Sequence, residues 1–191
     1  MFSMFLASRL GMRVDQRKIM AVGLTILGFA LYDMSTWTPA VDGRHMAIVM
    51  MIQGVSVGLV FNPMTVMAYT TLPAHFRGEA TAVQSLARNI GAAIGISVTT
   101  FTLTRGFQTN HEAISIAITP FNRLLQGHDH MSQLLAPATR AGAAMLDQMI
   151  VYQAQIIAYN NDFRLMMFVV LPPLLLLFLM RPHARPERKL A

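Results

Sequence analysis

The sequence predicts an all-α integral-membrane protein, four transmembrane helices preceded by a short helix stub, and three observations carry that reading. The 191 residues are 54% hydrophobic and only 13% charged, the balance of a chain whose solvent is lipid. The apolar residues fall in runs long enough to cross a hydrocarbon core of about 30 Å. The basic residues behind the net charge of +6 stand just outside those runs, where membrane topology places them, so nucleic acid is not expected as a partner. With no cysteine, disulfides, thiol chemistry and thiolate metal sites are excluded.

The elements follow in order. Residues 1–7 are apolar but too short to span, and they run into a basic loop at residues 9–18 without the charge pattern of a signal peptide, so they read as the end of a helix that begins earlier. Residues 19–36 form the first full span, with Asp33 near its far end and Trp37 as an interfacial anchor. Residues 39–43 make a turn containing Pro39, Asp42 and Gly43. Residues 46–72 form the second span, long enough to tilt or bend at Pro63, with Gly54, Gly58 and Asn62 on one face and Gln53 beside them. After a loop with His75 and Arg77, the third span occupies residues 79–105. Residues 106–142 read as a long outer loop broken by Pro120, Gly127 and Pro137. An amphipathic helix at 143–159 leads into the last span at about 160–180, interrupted at Pro172 and Pro173, and residues 181–191 form a basic tail.

The third span organises the rest. As a helix it places Gln84, Arg88, Gly91 and Gly95 on one face, with Asn89 adjacent. An arginine at that depth requires water, a partner or a carbonyl. Arg88 is therefore either a structural clamp or a group that handles substrate or protons, and Gln84, Asn89, Gln53, Asn62 and Asp33 are the further candidate cavity or transport residues, with a hydrated interface the favoured reading for Asp33 and a structural role at the Pro63 kink for Asn62. Gly54, Gly58, Gly91 and Gly95 are the expected points of close helix approach. His111 and His128–His130 read as surface loop residues, and no metal or other cofactor is expected. There is no phosphate-binding glycine loop, nucleophile elbow or carboxylate pair suited to catalysis, so the chain is not read as an enzyme.

Alternating the spans puts Arg9, Arg13, Arg17, Lys18, Arg77, Arg181, Arg185, Arg188 and Lys189 on one side. Arg44, Arg105, Arg123, Arg140 and Arg164 fall on the other. The first side is then cytoplasmic and the long loop faces outward.

The segment SRLGMRVDQRK at 8–18 resembles the second-half copy of the glycine-and-arginine loop of the major facilitator superfamily, which in that family holds two transmembrane helices together on the cytoplasmic side. Gly11, Arg13, Asp15 and Arg17 match the form seen in its drug:proton antiporter-2 branch, the fourteen-helix multidrug exporters, while Ser8 and Met12 stand where the pattern has Gly and Asp. Gln53, Gly54, Gly58 and Pro63, followed by LPAHFRGEATAVQSLARNIGAAIGIS, are similar to the penultimate helices of that branch. The resemblance implies a partial major-facilitator bundle, the C-terminal portion of a multi-pass inner-membrane transporter that exports amphipathic molecules in exchange for protons. It also implies partners: the lipid bilayer, the N-terminal half, and in Gram-negative cells a periplasmic adaptor. Two other readings stand beside it, a truncated product without transport of its own and a membrane subunit that pairs with a separate N-terminal half.

Overall fold

The computed structural model describes residues 15–70, 72–118 and 139–179, which are helical apart from short turns and contain no strand. Among the described residues four α-helices follow one another: α1 at Gln16–Met34, α2 at Gly43–Thr70, α3 at Arg77–Ala117 and α4 at Arg140–Leu179. A single 3-10 turn, Ala74–Phe76, precedes α3. Residues 1–14 with Gly11 and Arg13, residues 119–138 with His128 and His130, and residues 180–191 lie outside the described residues, so the stub, the middle of the expected outer loop at 106–142 and the tail are not described.

Local chemistry sets the helix starts. The Asp15 carbonyl accepts from the amides of Lys18 at 2.9 Å and Ile19 at 3.3 Å, opening α1. Asp42 Oδ1 accepts from the Arg44 amide at 3.3 Å at the head of α2. Glu79 sits in the first turn of α3, where its charge complements the positive helix end. Thr139 caps α4, its hydroxyl oxygen accepting from the Gly142 amide at 3.1 Å.

Two boundaries differ from the sequence reading. α3 does not stop at Arg105 but continues to Ala117. Gly106 alone costs a helix about 1 kcal/mol relative to alanine, too little to end it, and the first strong breaker, Pro120, lies beyond. The amphipathic segment and the last span are one 40-residue helix. Thr139 starts it early, and nothing between Tyr159 and Phe163 breaks it. α4 also runs through Pro172 and Pro173, as α2 runs through Pro63. Three helical stretches, Gly43–Tyr69, Arg77–Ile116 and Arg140–Leu177, are long and apolar enough to cross a membrane. The first expected span, residues 19–36, forms α1, where Arg17 and Lys18 at one end and Asp33 at the other confine the uncharged stretch to residues 19–32.

The helices pack in the order α2, α1, α4, α3. α2 and α3, though neighbours in sequence, share no extended packing. α1 is the most enclosed helix, burying Ile19, Gly23, Leu24, Ala30, Leu31 and Met34. Ile19 packs with Leu59, and Ala30 and Met34 pack with Val49 under Trp37 and Phe163. α4 buries a stripe at every fourth residue, Leu146, Ile150, Ala154, Ala158 and Asp162.

The close approaches seen among the described residues of this chain fall at other glycines than Gly54, Gly91 and Gly95. A Cβ added at Gly54, Gly91 or Gly95 meets nothing within 4 Å, and Gly58 is half-buried. At Gly23 it would lie 2.9 Å from Leu59 Cβ, 3.0 Å from Val60 Cγ2 and 3.2 Å from the Ser56 carbonyl oxygen, so only glycine fits where α1 crosses α2. At Gly106 it would lie 3.6 Å from Ala158 Cβ, where α3 crosses α4. Small residues at crossings let backbones come together where lipid supplies no hydrophobic drive between helices. The spacing of Gly91 and Gly95 marks a smooth face, but the α3 to α4 crossing lies three turns further along.

Gly23→Ala is expected to lower the thermal stability of the purified chain in detergent by about 1–3 kcal/mol, the usual cost of overpacking. Gly54→Ala and Gly91→Ala should be neutral or slightly stabilising, because alanine is the better helix former. Equal effects in a melting series would contradict the Gly23 crossing.

Candidate functional site

Polar side chains concentrate at three places in this bundle. The first is the turn between α1 and α2. Asp33 Oδ2 accepts from Trp37 Nε1 at 3.1 Å and lies 2.9 Å from His45 Nε2. The side chains of His45 and Asp33 are 50% and 39% exposed, so the pair sits in the open rather than in a cavity. Asn160 of α4 reaches across to donate from Nδ2 to the Trp37 carbonyl at 2.8 Å. Phe163 meets the Trp37 ring edge-on at 6.3 Å. Asp33, for which a hydrated interface was expected ahead of a cavity, fastens this exposed turn, and α4 is tied to that turn as well.

The second place is the turn between α2 and α3. Tyr69 donates its single hydroxyl hydrogen toward Gln84 Oε1 at 2.5 Å, with Thr81 Oγ1 3.1 Å away as the alternative acceptor. Gln84 is therefore oriented by a tyrosine that sequence reasoning did not single out. Tyr69 was visible near the end of its apolar run, but nothing in its spacing named Gln84 as the acceptor.

The third place is the α3 to α4 crossing. Asp162 is buried to 5% exposure, and Thr102 Oγ1 lies 3.0 Å from its Oδ1. Sequence reasoning missed both residues. The signal that would have found Asp162 is the four-residue period Leu146, Ile150, Ala154, Ala158, which runs into the acid on the same face.

The other expected residues do not come together. Arg88 and Asn89 are exposed on α3, and among the described residues Arg88 has no hydrogen-bonding or ionic partner. Gln53 and Asn62 are half-buried on α2, a helix that does not run beside Arg88. Gly95 borders a shallow recess of about 430 Å³, with Ala92, Ile96, Thr99, Thr100 and Met166 as its other walls. A second, almost wholly apolar groove of about 360 Å³ lies between α1 and α4, flanked by Gly28, Phe29, Tyr32, Met167 and Leu171. Asp15 is exposed at the head of α1 and Arg17 half-buried behind it. No group of His, Asp and Glu suited to a metal ion occurs among the described residues.

Comparison with known proteins places this geometry in context. The chain is 25% identical over 175 residues to the multidrug export protein EmrB of Haemophilus influenzae, covering 91% of this chain and 34% of that protein. It is 24% identical over 156 residues to EmrB of Escherichia coli K12, covering 81% of this chain and 30% of that protein. It is 21% identical over 161 residues to the probable multidrug resistance protein EmrY of the same strain, covering 84% and 31%. The chain thus spans about a third of the length of these relatives. No solved structure matches it significantly. The model of the Major Facilitator Superfamily matches residues 1–109, which takes in the basic loop, α1, α2 and most of α3. A chain whose described residues are helical apart from short turns, with membrane-length apolar helices and this match, is a multi-pass inner-membrane protein, and it belongs to the Major Facilitator Superfamily.

Proposed function

We propose that this chain forms the C-terminal part of a proton-coupled multidrug exporter that moves amphipathic small molecules out across the inner membrane. The observation that carries the reading is the alignment of more than four-fifths of the chain with three proteins named for multidrug export or resistance. The N-terminal half, on the same polypeptide or a separate one, is a partner in this reading, and a periplasmic adaptor is another.

The geometry supports a role for Arg88 in that assembly. An arginine at the centre of a bilayer costs about 2.5–3.5 kcal/mol on insertion scales unless it is paired or hydrated. Arg88 lies eleven residues into α3, about 16 Å along the axis, and has no partner within the described residues. Gly91 and Gly95 leave the adjoining surface smooth and open. This side of α3 faces the polar interior of the complete carrier, and Gln84 and Asn89 contribute to the same lining. The unpacked side between α2 and α3 gives Gln53 and Asn62 access to that interior as well.

Arg88→Ala is expected to reduce efflux of a fluorescent amphipathic dye by about tenfold or more at unchanged abundance, a barrier increase of at least about 1.4 kcal/mol. Arg88→Lys retains the charge without the planar fork, and Arg88→Gln retains hydrogen bonding without the charge. Lysine should outperform glutamine if charge is the requirement, whereas both should fail if the fork is. Normal export by Arg88→Ala would remove Arg88 from the mechanism.

The orientation belongs to the same proposal, with the α2 to α3 turn cytoplasmic and the far end of α3 outside. In the natural cysteine-free background, an impermeant thiol reagent applied to intact cells should label Glu112→Cys and spare His75→Cys. The opposite pattern would invert the topology.

A further inference from the structure

The apolar groove between α1 and α4 ends beside two hydrogen-bond donors that this chain leaves unused. Its walls include Leu24, Gly28 and Tyr32 of α1, four residues apart on one face, and Met167, Leu171 and Leu174 of α4. From Leu24 to Tyr32 it runs about 12 Å along the helix axis, and it encloses about 360 Å³. The two helices pack together yet leave this hollow between them. Gly28 explains it: a Cβ built there meets nothing within 4 Å, so this glycine is the floor of a slot and not the seat of a crossing.

The Tyr32 end of the groove lies at headgroup depth. Trp37, the interfacial aromatic that follows α1, meets Phe163 edge-on at 6.3 Å, and Arg164 is the next residue of α4. Arg164 stands three residues before Met167 and seven before Leu171, which puts it on the groove side of the helix, one turn beyond the wall. The side chain is exposed, and it leans toward the start of its helix, as helical side chains do, which carries the guanidinium outward to the headgroups. Among the described residues no carboxylate is in ion-pair range of it. Asp33 is held by Trp37 and His45, and Asp162, on the opposite side of α4, lies against Thr102. Tyr32 is 59% exposed, and its hydroxyl has no hydrogen-bond partner among the described residues.

We infer that this groove is a binding site for an anionic phospholipid, with one acyl chain along Leu24, Gly28 and Leu171, the phosphate on Arg164, and the Tyr32 hydroxyl donating to an ester oxygen. The charge at the mouth decides the occupant. A protein helix laid in the slot would leave the guanidinium unneutralised unless it carried an acid at that level, whereas a phospholipid brings chain and charge in one molecule. Arginine meets a phosphate with two parallel hydrogen bonds. A zwitterionic headgroup offers the same phosphate with an ammonium group beside it, so the net-negative lipid is preferred. The site goes beyond the export reading, and the proposed orientation decides only which leaflet supplies the lipid.

The test places the protein, in its native assembly, in lipid nanodiscs that carry a trace of phosphatidylglycerol or of phosphatidylcholine with a diazirine in one acyl chain. After illumination the labelled residues are mapped by mass spectrometry. Labelling at Gly28, Phe29, Met167 and Leu171 is expected to be about tenfold stronger with the phosphatidylglycerol probe, the scale of a charge-assisted contact. Val169 and Leu176, exposed on the opposite side of α4, should take up both probes alike. Arg164→Gln should bring the two probes level in the groove, and Arg164→Lys should keep part of the preference. Gly28→Phe, whose added Cβ meets no neighbour, should lower groove labelling several-fold with either probe. Arg164 is on the surface, so its variants decide the matter even where Gly28→Phe fails to insert. Equal groove labelling by the two probes, a preference that survives Arg164→Gln, or no groove labelling at all, as when another helix of the assembly covers the slot, would overturn the site. Labelling needs no transport, so a lipid site in a protein that exports nothing would count against the exporter reading alone.

Discussion

The approach of α3 to α4 at Gly106 and Ala158 is the contact on which the arrangement of the candidate side chains on α3 depends. Helices in lipid gain little from burying apolar surface against one another, so association comes from close packing and interhelical hydrogen bonds. A glycine opposite an alanine, with 3.6 Å from the would-be Cβ to its neighbour, permits such packing. One turn away the same crossing delivers Thr102 to Asp162. Pairing α3 with α4 also withdraws it from α2, its neighbour in sequence, and leaves Arg88 and Gly91 exposed among the described residues.

Hydrogen bonds secure the bundle near its turns. Near the α1 to α2 turn, Asp33, Trp37, His45 and Asn160 tie three helices together. Near the α2 to α3 turn, Tyr69 holds Gln84. Between them α1 and α2 meet through apolar and small side chains, and the buried hydroxyl of Ser56 donates to its own helix at the Ile52 carbonyl, 2.7 Å away. Helices fixed near their ends and smooth along their lengths are suited to small relative rotations. That is the mechanical property the proposed transport reading asks of them.

Much of the fold was legible because membrane helices announce themselves by length and apolarity, and the basic loop with its Gly11, Arg13, Asp15 and Arg17 pattern carried the family. The helix ends were less legible. Gly106 looked like a boundary but costs too little to be one, and Thr139 capped α4 earlier than the polar character of the following residues implied. The close approaches within this chain were not legible for a different reason. Spacing by four identifies a smooth face, as at Gly91 and Gly95, but which smooth face is used depends on a partner helix that spacing does not name. Gly23, isolated in an apolar run, gave no periodic signal and became the tightest crossing. Asp162 was hidden in the run Asn160, Asn161, Asp162, which has the composition of an interface until its place on the α4 stripe is noticed.

The pairing of α3 with α4 is most directly tested by a disulfide, since the chain has no cysteine of its own. Gly106→Cys with Ala158→Cys, in the protein in its membrane, places the two Cβ atoms about 3.6 Å apart, inside the range a disulfide bridges. The account predicts rapid, near-complete cross-linking under mild oxidation and none for Asn62→Cys with Arg88→Cys, which stand on helices that do not pack together. Cross-linking of the second pair and not the first would contradict it.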